Sequence, residues 1–320
     1  MRLAPSTVFR PLTRRAFVPM HNSLHRRDFI KTTGMVSVGS LTLSLRGAEV
    51  SGQGTAAGGA RLLPGCCAYS YGSYLGKGKM TMEQFIAKAV ELGVLGADIT
   101  TYWLKSTEPA YLAGLRNFAY RQGMPFSGLA IGADLCQPEP AKRAQVIETV
   151  RKWVDATELL GASHLRVFGD KLPPGANQEQ GVQWVVETMK AACEYAAGKG
   201  VILGLETHSG LSANAANMVA ILRGVDSPCA GCNLDISNFR ENPYEQIQAC
   251  LPYATHTHIR DFYGEPKQPL DLERVWEMFA RSGYKGYMSV EYEGAEDAMT
   301  GVPKLINKIK PLCRKYSTAG

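Results

Sequence analysis

The sequence predicts an α/β chain of the (β/α)8 TIM barrel class, and three observations carry that prediction. Short apolar runs alternate with amphipathic stretches from about residue 62 to the last helix-like segment. Eight such pairs fit into about 250 residues, the length and rhythm of a closed barrel. No Gly-x-Gly-x-x-Gly follows the first run, which removes the main signal for a doubly wound open sheet.

The first strand is expected at 62–70 (LLPGCCAYS), with a helix at 80–93. The second strand, 97–102 (ADITTY), precedes a helix at 108–122, and the third, 126–132 (FSGLAIG), precedes one at 140–160. Strand four, 163–169 (SHLRVFG), is followed by a helix at 178–198. Strand five lies in VILGLETHSG, at 201–207, with a helix at 214–224. Strand six, 230–236 (AGCNLDI), leads to a helix at 243–250, and strand seven, 254–260 (ATHTHIR), to one at 270–282. Strand eight, 286–292 (GYMSVEY), leads to the last helix, 297–315. Gly93, Gly123, Gly161, Gly200 and Gly283 stand where helices stop, as glycines just past a C-cap do.

Charge separates the ends of the chain. Residues 1–60 hold eight Lys/Arg against Asp28 and Glu49, which leaves 27 basic and 27 acidic residues in 61–320. A neutral body gives no electrostatic footprint for nucleic acid. LHRRDFIK (Leu24–Lys31) precedes a modestly apolar run from Thr32 to Leu45 and a loose Gly/Ala/Ser stretch to Ala60. Paired arginines, an aromatic and an aliphatic residue ahead of a short apolar region resemble a twin-arginine export signal. The alternative is a basic disordered arm. An earlier pair in TRRAFV runs into Pro19, and Met20 is an alternative start to Met1. The apolar run is too short and polar to span a bilayer, so no stable membrane anchor is expected. The organisation predicted is a signal and flexible segment at 1–60 and one barrel domain at 61–320, exported to the periplasm or another extracytoplasmic space of a bacterium. Of eight cysteines only Cys229-Ala-Gly-Cys232 is suggestively spaced, and without a second pair it reads as small buried thiols.

In a barrel of this kind chemistry gathers at the C-terminal ends of the strands. Strand five ends in Glu206 and His208, strand six in Asp235 and Asn238, and strand eight in Glu291 and Glu293, while strand seven carries His256, His258, Arg260 and Asp261. Two Glu, one Asp and one His suit a single divalent ion such as Mn²⁺, Co²⁺, Mg²⁺ or Zn²⁺. The competing reading makes them buried ion pairs, Glu206 with Arg166 and Asp235 with Arg260. His256 and His258, two apart on one strand face, divide between ligand and packing or substrate contact. Glu293 is expected to be solvated.

Taken together, GLETH, LDISNF, HTHIRD and GYKGYMSVEYEG resemble the xylose isomerase-like barrels, the sugar phosphate isomerase/epimerase group, over roughly residues 62–316. The resemblance implies Glu206, Asp235, His258 and Glu291 as metal ligands, with Mn²⁺ foremost. It implies Glu206 and Glu291 as catalytic residues, exchanging a proton next to a sugar carbonyl through a metal-bound enediolate. Arg166, His208, Asn238, His256 and Arg260 would bind a small sugar or glycoside, and a homo-oligomer is compatible with this. The sequence departs from the epimerases of that group at two substrate positions: Asn238 replaces a His three residues after the ligand Asp, and Gly264 an Arg six residues after the ligand His. A 3-keto-glycoside lyase or hydrolase, or a non-catalytic sugar-binding barrel, therefore stays open beside epimerisation. Endonuclease IV shares the fold but needs further histidines on strands two and three, and DITTYW and AIGADL contain none.

Overall fold

A computed structural model describes residues 59–318. Eight parallel strands close into a barrel in the order β1-β8-β7-β6-β5-β4-β3-β2. They are β1 (Arg61–Cys67), β2 (Gly96–Thr100), β3 (Phe126–Asp134), β4 (His164–Phe168), β5 (Ile202–Glu206), β6 (Ala230–Asp235), β7 (Ala254–Ile259) and β8 (Lys285–Val290). The eight outer helices are α1 (Met82–Glu91), α2 (Pro109–Arg121), α3 (Pro140–Leu160), α4 (Gln178–Ala197), α5 (Ala215–Val225), α6 (Pro243–Cys250), α7 (Leu272–Ser282) and α8 (Ala298–Tyr316). Every expected strand and helix is present, with bounds that differ by at most three residues. Residues 68–70, read as strand, instead turn into a 3-10 helix, Ala68–Tyr71. Polar residues keep the chain from continuing the ladder there: the Ser70 hydroxyl donates to Val290 O at 2.9 Å. A two-stranded hairpin, Phe262–Tyr263 with Gln268–Pro269, has no counterpart among the expected elements. The export-like segment lies outside the described residues.

The helices begin and end where their caps say they should. Thr81 and Gln84, and likewise Asn177 and Gln180, close reciprocal capping boxes. Asp271 and Asp297 accept from the first-turn amides of α7 and α8. Gly161, at φ 81°, ends α3 in the left-handed conformation.

Alternation along the strands sets the two faces of the barrel wall. Leu129, Leu165, Leu203, Leu205, Leu234, Met288 and Val290 are fully buried against the helices. The opposite face points inward and is polar. In β5 it is Ile202, Gly204 and Glu206, so the apolar-looking run that opens this strand hides a charged inner edge. Register aligns the inner residues: Glu206 with Asn233, Asp235 with His258, and His258 with Ser289. Barrel interiors are usually filled by branched aliphatics. Here His164 and His256 stack at 4.9 Å inside the barrel. Two glycines make room, since a Cβ at Gly204 would lie 2.2 Å from the His164 ring and one at Gly128 3.2 Å from it. His256 Nδ1 faces Asn233 Oδ1 at 2.9 Å, and Nε2 faces the hydroxyls of Ser127 and Ser289 at 3.3 and 3.4 Å.

Burial keeps both imidazoles neutral, helped by His256 beside His164 and by His258 beside His256: His164 is pushed well below its ordinary value and His256 down to about 4. The unfolded chain binds these protons more readily, so stability falls as pH drops from about 6.5 towards 4. For His256 alone the loss is about 3 kcal/mol. Urea unfolding across that range should show wild type losing stability faster than His164→Gln, which lacks one of the two groups; parallel curves would refute this assignment.

Candidate metal centre

Four strand ends deliver one donor each. Glu206 ends β5, Asp235 ends β6, His258 lies in β7 and Glu291 follows β8. Their donor atoms all lie within 4.8 Å of one another, and all four residues are buried. The structure thus brings together the four residues expected as ligands. Three hard oxygens and one imidazole fit a single Mn²⁺, Co²⁺, Mg²⁺ or Zn²⁺ ion.

The His258 ring explains how the imidazole is aimed. Nε2 faces Asp98 Oδ2 at 2.8 Å, and Nδ1 faces Glu206 Oε1 at 2.9 Å and Glu291 Oε2 at 3.4 Å. Burial pushes the Asp98 carboxyl up, but the His258 hydrogen bond and the nearby imidazoles outweigh it and hold it at about 2. An ionised carboxylate can only accept, so Nε2 carries a hydrogen and Nδ1 is the nitrogen turned towards the carboxylates. Cys67 joins this corner, its Sγ 3.9 Å from Glu291 Oε1. Burial and Asp98 push its thiol up to about 12, so it stays protonated.

Both expected ion pairs are also present, and they coexist with the ligand cluster. Arg166 Nε lies 3.0 Å from Glu206 Oε2, and Arg260 Nη2 lies 3.0 Å from Asp235 Oδ2 and 2.5 Å from Glu291 Oε2. Neither Arg166 Nε nor Arg260 Nε has its N–H aligned for a hydrogen bond. They are charge contacts at short range. Burial raises Asp235 to about 7 against the pull of Arg260, whereas His258 and Arg260 overcome burial at Glu291 and hold it well below its ordinary value.

The remaining expected residues separate into rim and interior. His208 stands at the rim, its ring 4.5 Å from that of Phe168, which is itself covered by the Arg166 guanidinium at 4.0 Å. Its Nδ1 meets Asp170 Oδ2 at 2.8 Å, and that hydrogen bond raises the imidazole above its ordinary value. Asn238 is a brace: its amide donates to Asp235 Oδ2 at 2.8 Å and to Thr207 O at 3.0 Å. One expectation needs correction: His256, expected to contact substrate, lies in the layer beneath the ligands with both ring nitrogens engaged. Glu293 is exposed, as expected, and also pairs with Arg260 Nε at 3.2 Å. Sequence reasoning missed Asp98 and Asp170. Asp98 lies inside a strand and Asp170 in the loop beyond one, and only their partners reveal them.

A cavity of about 900 Å³ opens at the other end of the barrel, lined by Arg61, Lys285, Lys310 and Arg314 among others. Its lining includes none of the four clustered ligand candidates.

Residues 86–312 match the model of the family described as xylose isomerase-like TIM barrel. Among solved structures, a D-allulose 3-epimerase from Methylomonas sp. in complex with D-allulose is 21% identical with a TM-score of 0.64, covering 79% of this chain and 97% of that one. The probable 3-DHS dehydratase AsbF of Bacillus anthracis is 16% identical at a TM-score of 0.64, covering 78% and 98%. These two establish likeness of fold. A curated relative, the probable endonuclease 4 of Acholeplasma laidlawii (strain PG-8A), is 25% identical over 192 residues, which is 54% of this chain. The match spans 63% of that relative's length.

If Asp98 fixes the His258 ring, Asp98→Asn should weaken Mn²⁺ binding about 10- to 100-fold by calorimetry, the usual effect of removing such a partner. Unchanged affinity would assign Asp98 to packing.

Proposed function

The chain belongs to the xylose isomerase-like TIM barrel family, and from that premise we propose that it is a divalent-metal-dependent isomerase or epimerase acting on a sugar. The observation that carries the reading is the convergence of Glu206, Asp235, His258 and Glu291 at one strand-end rim. When bound there, a divalent ion would polarise neighbouring carbonyl and hydroxyl oxygens of the sugar and acidify the C–H bond between them.

The chain supplies the proton handling. Glu206 and Glu291 come from β5 and β8, with β6 and β7 between them, so each can approach the substrate from its own side. One removes the proton next to the carbonyl, and the other returns a proton to the resulting enediolate. Asp235, braced by Asn238, and His258, aimed by Asp98, hold the centre. Arg166, His208 and Arg260 offer hydrogen-bond donors to the hydroxyls. The solved relatives support a carbohydrate substrate, one of them having been determined with D-allulose. With its twin-arginine-like start, the enzyme would work outside the cytoplasm.

Elimination is the second reading, and the His208–Asp170 pair favours it. An imidazole held by a buried carboxylate beyond the ligand set is placed to hand a proton to a departing oxygen. Release of an aglycone from a 3-keto glycoside, in place of a stereochemical change, would select this alternative.

The test joins metal content to proton exchange. Wild type should purify with or take up about one equivalent of Mn²⁺, Co²⁺, Mg²⁺ or Zn²⁺, and Asp235→Ala should lose it. In D₂O, wild type should exchange the carbon-bound proton of a ketose substrate, and Glu291→Gln should slow that exchange by at least about 100-fold, as removal of a general base does. A wild type that binds none of these ions, and is not stabilised by them, would leave a non-catalytic sugar-binding barrel.

A further inference from the structure

Resting on that metal-site reading, we infer that Arg260 is a tethered cation which shares the ligand carboxylates with the metal ion and is drawn aside by Glu293 and Asn238 when the ion binds. Arg260 follows β7, between the strands that carry Asp235 and Glu291. Its Nη2 lies 3.0 Å from Asp235 Oδ2 and 2.5 Å from Glu291 Oε2, so one nitrogen occupies lone pairs on two of the four ligands. A coordinated ion would sit about 2.0–2.2 Å from the same carboxylates. Two cations on those oxygens repel strongly in a buried site.

The same guanidinium already has an outer set of partners. Nη1 donates to Asn238 Oδ1 at 3.2 Å, and Nε lies 3.2 Å from Glu293 Oε2. That Nε is a buried donor whose N–H is not aligned with any acceptor. Glu293 lies two residues beyond Glu291 and is the more exposed of the two, with 39% of its side chain accessible against 6%. A small outward rotation would surrender the inner contacts and complete the Nε–Glu293 hydrogen bond, with Asn238 as pivot. Arg166 would stay on Glu206, so the inner set keeps one fixed cation throughout. Arg260 is therefore a positioning residue, which neutralises the ligands before metal arrives and afterwards stands at the rim, turned towards substrate oxygens. Glu293, outside the ligand set, becomes a determinant of metal affinity.

A thermodynamic cycle on the purified full chain tests this with Mn²⁺ alone as the probe, read by calorimetry beside thermal unfolding of the metal-free protein. Arg260→Met should bind Mn²⁺ at least tenfold more tightly than wild type while its metal-free form melts lower. Glu293→Gln should bind several-fold more weakly, because the guanidinium then rests on the inner carboxylates. In the Arg260→Met background the Glu293→Gln change should have no further effect. That coupling separates the inference from simple loss of a negative charge, which would weaken binding equally in both backgrounds and overturn it. Unchanged or weaker binding in Arg260→Met overturns it too, and Glu293→Gln, at a partly exposed site, keeps the test informative if that variant misfolds. Mn²⁺ binding by Arg260→Met but not by wild type would support shared occupancy. Binding by neither would reject the metal reading together with this one.

Discussion

Three carboxylates, Glu206, Asp235 and Glu291, are buried within reach of one another, and this requirement organises the top of the barrel. Taking one such charge out of water costs several kcal/mol unless it is paired. The chain answers with two guanidiniums and an imidazole, each approaching from a different direction. Arg166 reaches Glu206 from β4, Arg260 straddles Asp235 and Glu291, and His258 sits among all three. The partners are in turn held: Phe168 lies under Arg166, Asn238 braces both Asp235 and Arg260, and Asp98 anchors His258.

The polar interior follows from the same register. Residues sharing the inner face with the ligands lie two positions below them, so the layer under the centre comes from Gly204, Asn233, His256 and Ser289. These make a network whose members satisfy one another, the condition under which buried polar groups are tolerated. Asn233 connects the layers, its Oδ1 facing His256 and its Nδ2 lying 3.4 Å from His258 Nδ1. The small residues on this face are as necessary as the histidines, because a side chain at Gly204 would occupy the place of the His164 ring. The cost is sensitivity to acid in the interior of the fold.

The barrel was legible because its signals are local. Period, length and C-cap glycines reside in contiguous residues, and α3 and α6 were placed to the residue. The four ligand candidates were legible by a second local rule, that charge at the end of an apolar strand needs a reason. Partners were not legible, since Asp98 and His258 are 160 residues apart and meet only through closure of the barrel. Nothing beside Asp98 in its own strand marks it as the partner of a distant imidazole. His256 and His258 could not be ranked from spacing, because both face inward and only depth along the strand separates them. For Glu206 and Asp235, ligand and ion-pair roles compete when only the sequence is considered. The geometry satisfies both, as a carboxylate has two oxygens and four lone-pair sites.

The resemblance to an endonuclease raises the question of which neighbouring chemistry these residues permit. For that chemistry, sequence comparison with endonuclease IV leads one to expect further histidines on the second and third strands, and DITTYW and AIGADL contain none. Here β2 contributes Asp98, and that carboxylate is committed to His258 Nε2. β3 ends in Gly-Ala-Asp, and Asp134 is committed to the backbone amides of Cys136 and Lys171. The acidic groups that could have widened the site are thus spent on aiming one imidazole and closing one loop. The barrel body has equal numbers of acidic and basic residues and offers no excess of positive charge to a phosphate backbone. Four clustered candidate ligands, two of them glutamates, and a rim of hydrogen-bond donors are what remain, the set on which the proposed proton transfer rests.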